Sequence, residues 1–331
     1  MIVVTGGAGF IGSNLIHQLN QSGERDILLV DNFAPAPNLT GPKFLNLAGA
    51  EFADYMDKRE FRAALKAGYF ENTKIRAILH QGACSNTLED DGRYMMDNNF
   101  TCSKELLHFA LDRKIPLVYA STAAVYGAST TFAEIPANER PLNIYGYSKL
   151  VFDNYVRRLL PEMKSTVVGL RYFNVYGPRE QHKGRMASVI HHFTQQLKET
   201  GSIKMFEGSG GYADGEQCRD FVFVKDLGRI NMFFAGLLPE SPKKQIHAVV
   251  NAGTGVARTF KAVAAALMQV HGQHLNETGN IEYIPFPGDL KNRYQHYTQA
   301  DISGLRAAGY TAPFTPLEEG IQQTFAEEPA S

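Results

Sequence analysis

No stretch of this sequence approaches the ~18–20 consecutive apolar residues that a membrane-spanning helix needs. Cysteine is scarce: Cys84, Cys102 and Cys218 are the three in 331 residues, far apart and without a CxxC pair. That pattern is neither a disulfide framework nor a zinc site, and it fits a reducing compartment. An excess of either charge is also missing, because 33 Lys and Arg against 34 Asp and Glu leave a formal net charge of −1. Nothing in that balance draws the chain to nucleic acid or to an acidic membrane surface. An anionic ligand must be met by local positive charge. There is no internal repeat, no low-complexity segment, and no basic stretch followed by an apolar one at the start. A cytoplasmic location is expected.

What is present is an ordinary globular composition, 44% hydrophobic and 20% charged, in a length that suits one large domain or two sharing an interface. Early in the chain, short apolar runs alternate with segments of helical period. Ile2 to Thr5, Ile27 to Val30, Ala77 to Leu79, Pro116 to Ala120 and Val167 to Leu170 read as strands. Ile11, Leu15 and Leu19 mark one helical face, and Val151, Tyr155 and Leu159 mark another between Tyr145 and Leu160. Strands alternating with helices predict right-handed βαβ units and a doubly wound parallel sheet. After Arg171 the regularity weakens. Gly208 to Gly215 reads as a polar surface loop, Phe221 to Val224 and Val249 to Val250 as returning sheet elements, and Phe260, Val263, Leu267 and Val270 as a helix. Leu317, Ile321 and Phe325 mark a C-terminal helix, with Thr315 expected as its N-cap and Pro316 at its first position.

Thr5-Gly-Gly-Ala-Gly-Phe-Ile-Gly12 lies between the first strand and the first helix. Gly6 permits the tight turn, Gly9 lets the backbone approach a pyrophosphate, and Gly12 allows close packing of helix on strand. The helix N-terminus then offers free N–H groups and a partial positive charge. Asp31 ends the second strand at the distance where an acidic residue bonds the adenosine ribose of a dinucleotide. A Walker-type phosphate loop is excluded, because no Gly-Lys-Ser/Thr follows. The bland alternative, a structural Gly-rich turn, loses ground to the strand–turn–helix context and to Asp31.

Tyr145-Gly-Tyr-Ser-Lys149 opens a helix, and its first and last residues are i and i+4, on one face. A lysine ammonium near a phenol is expected to lower the phenol pKa from its usual value near 10, toward a usable base. Tyr147 points elsewhere and is the weaker candidate. Upstream, Ser121 and Thr122 end an apolar strand, where a hydroxyl would sit above the sheet. A Tyr-x-x-x-Lys alone is more often an exposed helical pair. Together with the glycine loop and this order, the catalytic reading is favoured.

These features, with the GxxGxxG spacing, resemble the extended short-chain dehydrogenase/reductase family along the whole chain. The resemblance implies a Rossmann-type nucleotide-binding domain over 1–171 plus about 220–248, and a smaller discontinuous α/β substrate domain over about 172–219 plus 249–331. It carries the family's catalytic set onto Thr122, Tyr145 and Lys149. It carries cofactor contacts onto Gly6, Gly9, Phe10, Ile11, Gly12, Asp31, Asn32, Gln81, Gly82, Ala83, Cys84, Ser85, Asn98 and Val175, besides Tyr145 and Lys149. Arg219-Asp-Phe-Val222 and Ala300-Asp-Ile302 through Gly309-Tyr310 are further family marks. Tyr94-Met-Met-Asp-Asn-Asn99, Arg171-Tyr-Phe-Asn-Val-Tyr-Gly-Pro178, His182-Lys-Gly-Arg-Met-Ala-Ser188 and Arg293-Tyr-Gln295 resemble its ADP-glycero-manno-heptose 6-epimerase branch. The Gly210 to Gln217 loop is longer than in some members, and Arg185 stands where others carry a small residue.

Members of that branch invert a carbinol by oxidising it to a ketone and returning the hydride to the other face, with two bases. The resemblance implies Tyr145 for one face and Lys183 for the other; sequence alone would leave Lys183 a solvated loop lysine. Substrate contacts carry over onto Asn174, Lys183, Arg185, His192, Phe206, Glu207, Gly208, Ser209, Arg219 and Tyr294. Arg219 suits a diphosphate because its guanidinium bonds two oxygens at once. Asp31 alone would favour NAD, but Lys43 and Lys58 match positions that reach a 2′-phosphate, so NADP is expected, with NAD as the alternative. No metal is expected, since His182, His191 and His192 lack a matching cysteine or acidic ligand pattern. A homo-oligomer is implied, with a pentamer as one form. A 4,6-dehydratase needs an acid and a base after its threonine, where this chain has Ala123 and Ala124. A nucleotide-sugar 4-epimerase is the alternative activity, and a non-catalytic cofactor sensor, which would lose the Tyr145–Lys149 pair, is the alternative from another class.

Overall fold

The computed structural model describes residues 1–33, 41–272, 280–286 and 295–327. Its strands are β1 Ile2–Thr5, β2 Ile27–Asp31, β3 Asp54–Asp57, β4 Ala77–His80, β5 Leu117–Thr122 and β6 Val167–Tyr172. There follow β7 Asn174–Tyr176, β8 Ile203–Phe206, β9 Cys218–Phe223, β10 His247–Ala252, β11 Ala257–Thr259 and β12 Ile281–Ile284. The main sheet has seven strands in the order β10-β6-β5-β4-β1-β2-β3, and every pairing in it is parallel. This is the expected doubly wound, Rossmann-like sheet. The winding direction reverses between β1 and β4, and a crevice opens at the strand ends there.

The apolar runs become central strands because both faces are covered. Ile2, Val4, Leu29 and Leu79 pack toward Leu15, Leu19, Leu227 and Phe234 on one side. Val3, Leu28, Ile78 and Leu117 pack toward Phe61, Leu106, Phe152 and Val156 on the other. A three-stranded sheet, β11-β9-β7, and a two-stranded one, β12-β8, build the smaller unit, over a third core that includes Ile190, Phe193, Phe221, Val263 and Ile321. β10 straddles the boundary expected at 248, and β9, which begins before the one expected near 220, belongs to the small sheet.

Two buried charge clusters stand out, one inside the large unit and one joining it to the smaller. Arg171, fully buried on β6, donates to Asp153 Oδ2 at 2.9 Å and to Glu139 Oε1 at 2.6 Å, and Asp153 also receives Tyr119 and Ser121 at 3.0 and 2.8 Å. On β9, the buried Asp220 carboxylate accepts from Thr254 N–H and hydroxyl at 2.8 and 2.7 Å, Gly255 N–H at 2.9 Å and Ala300 N–H at 3.0 Å. One expectation needs correcting at the C-terminal helix, Leu317–Glu327. Thr315 does not cap it: its N–H and hydroxyl bond the Asp226 carboxylate at 2.8 and 2.9 Å. The first helical bond instead runs from Gly320 N–H to the Pro316 carbonyl at 2.9 Å, because a buried carboxylate competes for Thr315.

Candidate active site

A cleft of about 1200 Å³ runs from the glycine loop across the strand ends to the smaller unit. At its floor Gly6 has φ +67°, and a Cβ there would meet Gly82 N at 2.7 Å. A Cβ on Gly12 would sit 2.1 Å from the Gly6 carbonyl oxygen. Loop and helix therefore close to a distance that only glycine allows, and the start of helix Phe10–Gln21 faces the cleft. That cradle fits a dinucleotide's pyrophosphate.

Asp31 is held from two sides. Its Oδ2 accepts the Ala8 N–H at 2.8 Å, and its Oδ1 accepts Lys43 Nζ at 2.6 Å. Lys43 also reaches Asn32 Oδ1 at 3.1 Å, and Lys58 donates to Asn98 Oδ1 at 2.9 Å. Asn98 lies in a π-helical turn, Asp97–Thr101, a departure from the α-helix often found at functional sites. The loop after β4 is clamped by Asn99: its Oδ1 accepts Cys84 N–H at 2.8 Å, and its Nδ2 donates to the Cys84 carbonyl at 2.9 Å and Ser148 Oγ at 3.0 Å. The Gln81 amide is taken up in a closed ring with Asn231 and Tyr172, at 2.8–2.9 Å per bond. His80 is buried between the Thr5 and Ser103 hydroxyls at 2.6 and 2.9 Å, and burial pushes its pKa down to about 3.

Thr122 ends β5, and its hydroxyl hydrogen-bonds Tyr145 while accepting the Ala124 N–H at 3.1 Å. Helix Ile144–Leu159 is capped by Asn143, whose side chain accepts the Gly146 N–H at 2.8 Å, and it turns Tyr145 and Lys149 to the same wall. Lys149 donates to the Ala120 carbonyl at 2.8 Å, and burial lowers its pKa to about 8. The expected lowering of the Tyr145 phenol is not met here. Burial raises it, with the Thr122 bond working against that rise. Removal from water outweighs a lysine whose proton is turned to a backbone carbonyl.

Lys183 comes from the 3₁₀ turn Gln181–Met186. Its Nζ lies 5.0 Å from the Phe10 ring centroid, and burial lowers its pKa, opposed by Glu180. It is therefore not the solvated loop lysine that its sequence context alone favoured. All the expected cofactor and catalytic residues border this cleft, as do Asn174, Arg185, His192, Phe206 and Arg219. Arg219 lies 5.6 Å from the Phe260 ring centroid. Glu207, Gly208 and Ser209 do not border it. They follow β8, where Gly208 N–H bonds Asp214 at 2.6 Å and Gln217 Nε2 bonds the Glu207 carbonyl and Ser209 Oγ at 3.1 and 3.2 Å. Tyr294 lies outside the described residues. Asn46, Asn99, Glu180 and His182 were not singled out as site residues from sequence, because each matters through contacts with distant parts of the chain. Among the described residues no group of three or more His, Cys, Asp or Glu is arranged to hold a metal ion, and no helix is long and apolar enough to cross a membrane.

A glycine loop at a sheet's switch point, with threonine, tyrosine and lysine on the adjoining wall, defines a Rossmann-type nucleotide site. Over residues 2–253 the sequence matches the NAD dependent epimerase/dehydratase family, and the chain belongs to it. It is 54% identical, across 97% of its length and 95% of the relative's, to an ADP-L-glycero-D-manno-heptose-6-epimerase of Alkalilimnicola ehrlichii. The solved structure of the Helicobacter pylori ADP-L-glycero-D-manno-heptose-6-epimerase superposes with a TM-score of 0.80 at 30% identity, covering 98% of this chain and 95% of that one. The Thermotoga maritima UDP-glucose 4-epimerase, solved with UDP-glucose, gives 0.76 at 26% identity, covering 98% and 97%.

Proposed function

We propose that this protein inverts C6 of the heptose in ADP-glycero-manno-heptose through a transient 6-ketone, supplying heptose for the lipopolysaccharide core. The observation that carries the reading is that Tyr145 and Lys183, from unconnected elements, border one cleft together with the glycine loop and Arg219. The 54% identity to an enzyme of that name supports the heptose substrate. NADP is the cofactor of this reading, supported by Lys43 and Lys58 at the cleft; the reading also takes the protein as a cytoplasmic homo-oligomer. With its pyrophosphate in the glycine cradle, the cofactor would supply reversible hydride acceptance through its nicotinamide.

The protein's own groups orient and move protons. Tyr145 takes or returns the C6 hydroxyl proton on one face, steadied by Thr122, and Lys183 does so on the other. Burial lowers the Lys183 pKa, which brings the free amine nearer to neutral pH, where a base is most useful. Lys149 holds the nicotinamide ribose, and Arg219 grips the diphosphate. C6 sits on an exocyclic arm, so rotation of that arm presents the ketone's other face. A 4,6-dehydratase lacks its proton-transfer groups here, since Ala123 and Ala124 follow Thr122.

Incubation with ADP-heptose, followed by NMR of the C6 epimer ratio, tests the reading. Tyr145→Phe and Lys183→Met should each nearly abolish epimerisation, and no reduced cofactor should accumulate. Inversion at C4 of a UDP-sugar instead would favour a 4-epimerase, and a near wild-type rate in Lys183→Met would refute the two-base assignment.

A further inference from the structure

One buried amide hydrogen-bonds both the turn that carries Lys183 and the glycine loop. We infer that Asn46 is a positioning residue that fixes Lys183 relative to the cofactor cradle, an inference that rests on the two-base reading above. Asn46 is 1% exposed and lies in the 3₁₀ turn Lys43–Leu47. Its Nδ2 donates to the Ala8 carbonyl at 2.9 Å and to His182 Nδ1 at 3.0 Å, and its Oδ1 accepts Gln181 Nε2 at 3.2 Å. Both amide hydrogens and the oxygen are therefore engaged. One hydrogen ends inside the glycine loop, and the other ends on the residue next to Lys183.

His182 is suited to transmit that link and not to act as a base. Its Nδ1 accepts from Asn46, the Arg179 backbone takes a bond from the ring, and burial pulls its pKa down to about 4. The ring stays neutral and held. On the far side, Glu180 closes the same turn: its carbonyl accepts the Lys183 N–H at 2.9 Å. Its carboxylate accepts Gly177 N–H at 3.3 Å, Ser188 N–H at 2.6 Å and Ser188 Oγ at 2.7 Å. Glu180 thus joins the turn's two ends to each other, while Asn46 bonds it to the nucleotide-binding half, beside the Lys183–Phe10 ring contact and a Thr87–Met186 contact. Lys43, three residues before Asn46, pairs with Asp31 at 2.6 Å, so the same short turn also meets the adenosine end of the site. A base serving the second face of a ketone must stay within about 3–3.5 Å of its proton's oxygen, and a shift of about 1 Å costs on the order of a hundredfold.

The test uses the full-length protein and an ADP-sugar analogue bearing an aldehyde at C6, which can dismutate by using either base. In the oxidation half, the aldehyde hydrate loses a hydride and a proton to become the acid; in the reduction half, a second aldehyde gains both to become the alcohol. In Tyr145→Phe protein, where Lys183 is the remaining base, adding Asn46→Ala should lower dismutation by ~10–100-fold. In Lys183→Met protein, where Tyr145 remains, the same change should lower it by less than about twofold, as for an independent site. Epimerisation by Asn46→Ala alone should fall in kcat with KM for the sugar nearly unchanged. Equal losses in both backgrounds, or none in either, would overturn the positioning role while leaving the two-base reading intact. If Lys183→Met itself epimerises at a near wild-type rate, the two-base reading fails and this inference falls with it. If Asn46→Ala does not fold, His182→Ala cuts the same link from the other side, and the same contrast between backgrounds decides.

Discussion

If the site takes NADP as proposed, replacing Lys43 by Met should turn it toward NAD. The Lys43 ammonium lies 2.6 Å from Asp31 Oδ1, with the two side chains 14% and 6% exposed. Asp31 is not free to swing into solvent once Lys43 is gone, because its other oxygen holds the Ala8 N–H at 2.8 Å. The substitution therefore removes a positive charge and leaves a fixed carboxylate facing the position of a 2′-phosphate. Two unit charges about 4 Å apart interact by about 4 kcal/mol at an effective dielectric of ~20. Solvent and the nearby Lys58 offset part of this, leaving a loss of roughly 2–3 kcal/mol, or about 30–150-fold in NADP affinity. NAD has no such phosphate, and its ribose hydroxyls donate to the freed carboxylate, so its Kd should change by less than about threefold. Titration calorimetry with each cofactor, on protein stripped of bound nucleotide and at one ionic strength, measures both. Equal losses for the two cofactors would refute the charge argument and with it the preference for NADP.

Gly12→Ala should lower the melting temperature by several degrees and abolish cofactor binding, since its Cβ would meet the Gly6 backbone at 2.1 and 2.7 Å, an overpacking worth about 1–3 kcal/mol or more. Gly9→Ala, with a nearest contact of 3.2 Å, should be much milder; equal destabilisation would contradict the geometry. Arg171→Met leaves the buried Asp153 carboxylate without its cation and should cost about 3–5 kcal/mol in denaturant unfolding, and a loss near zero would show that the cluster is not stabilising. His80, with its pKa pushed from 6.5 to about 3, stays neutral when folded, so the unfolded chain takes up a proton first as the pH falls. Its contribution is complete above pH 6.5 and is lost as the pH drops toward 3. Melting curves between pH 7 and 4 should therefore fall more steeply for the wild type than for His80→Gln, and parallel curves would rule this out.

The strands that bury both faces were legible as apolar runs, and β1, β2, β4, β5, β6 and β10 lie where those runs fall. β3 was not, because Asp54-Tyr-Met-Asp57 is half polar and pairs only at the sheet's edge, where solvent tolerates charge. That the glycine loop, Asp31, Tyr145 and Lys149 meet at one cleft was readable because it depends on local spacing. The Asn46–His182 bond was not, since it joins positions 136 residues apart and leaves no periodic trace. The ionisation of Tyr145 was read in the wrong direction for a related reason. An i, i+4 lysine is visible in sequence, but the depth of burial around a phenol and the carbonyl that occupies that lysine are not. Thr315 shows the same limit at a helix start, where the competing carboxylate of Asp226 lies 89 residues away.

Asp220 carries a consequence for how the molecule opens. Its one carboxylate gathers the turn after β10 of the large sheet, the backbone at Ala300 and its own strand in the small sheet, with no cation among its bonded partners in the described residues. A joint made of several short bonds to one atom group behaves as a rivet rather than a hinge. A substitution such as Asp220→Ala would cut the small sheet's strand loose from the turn after β10 and from Ala300 at once.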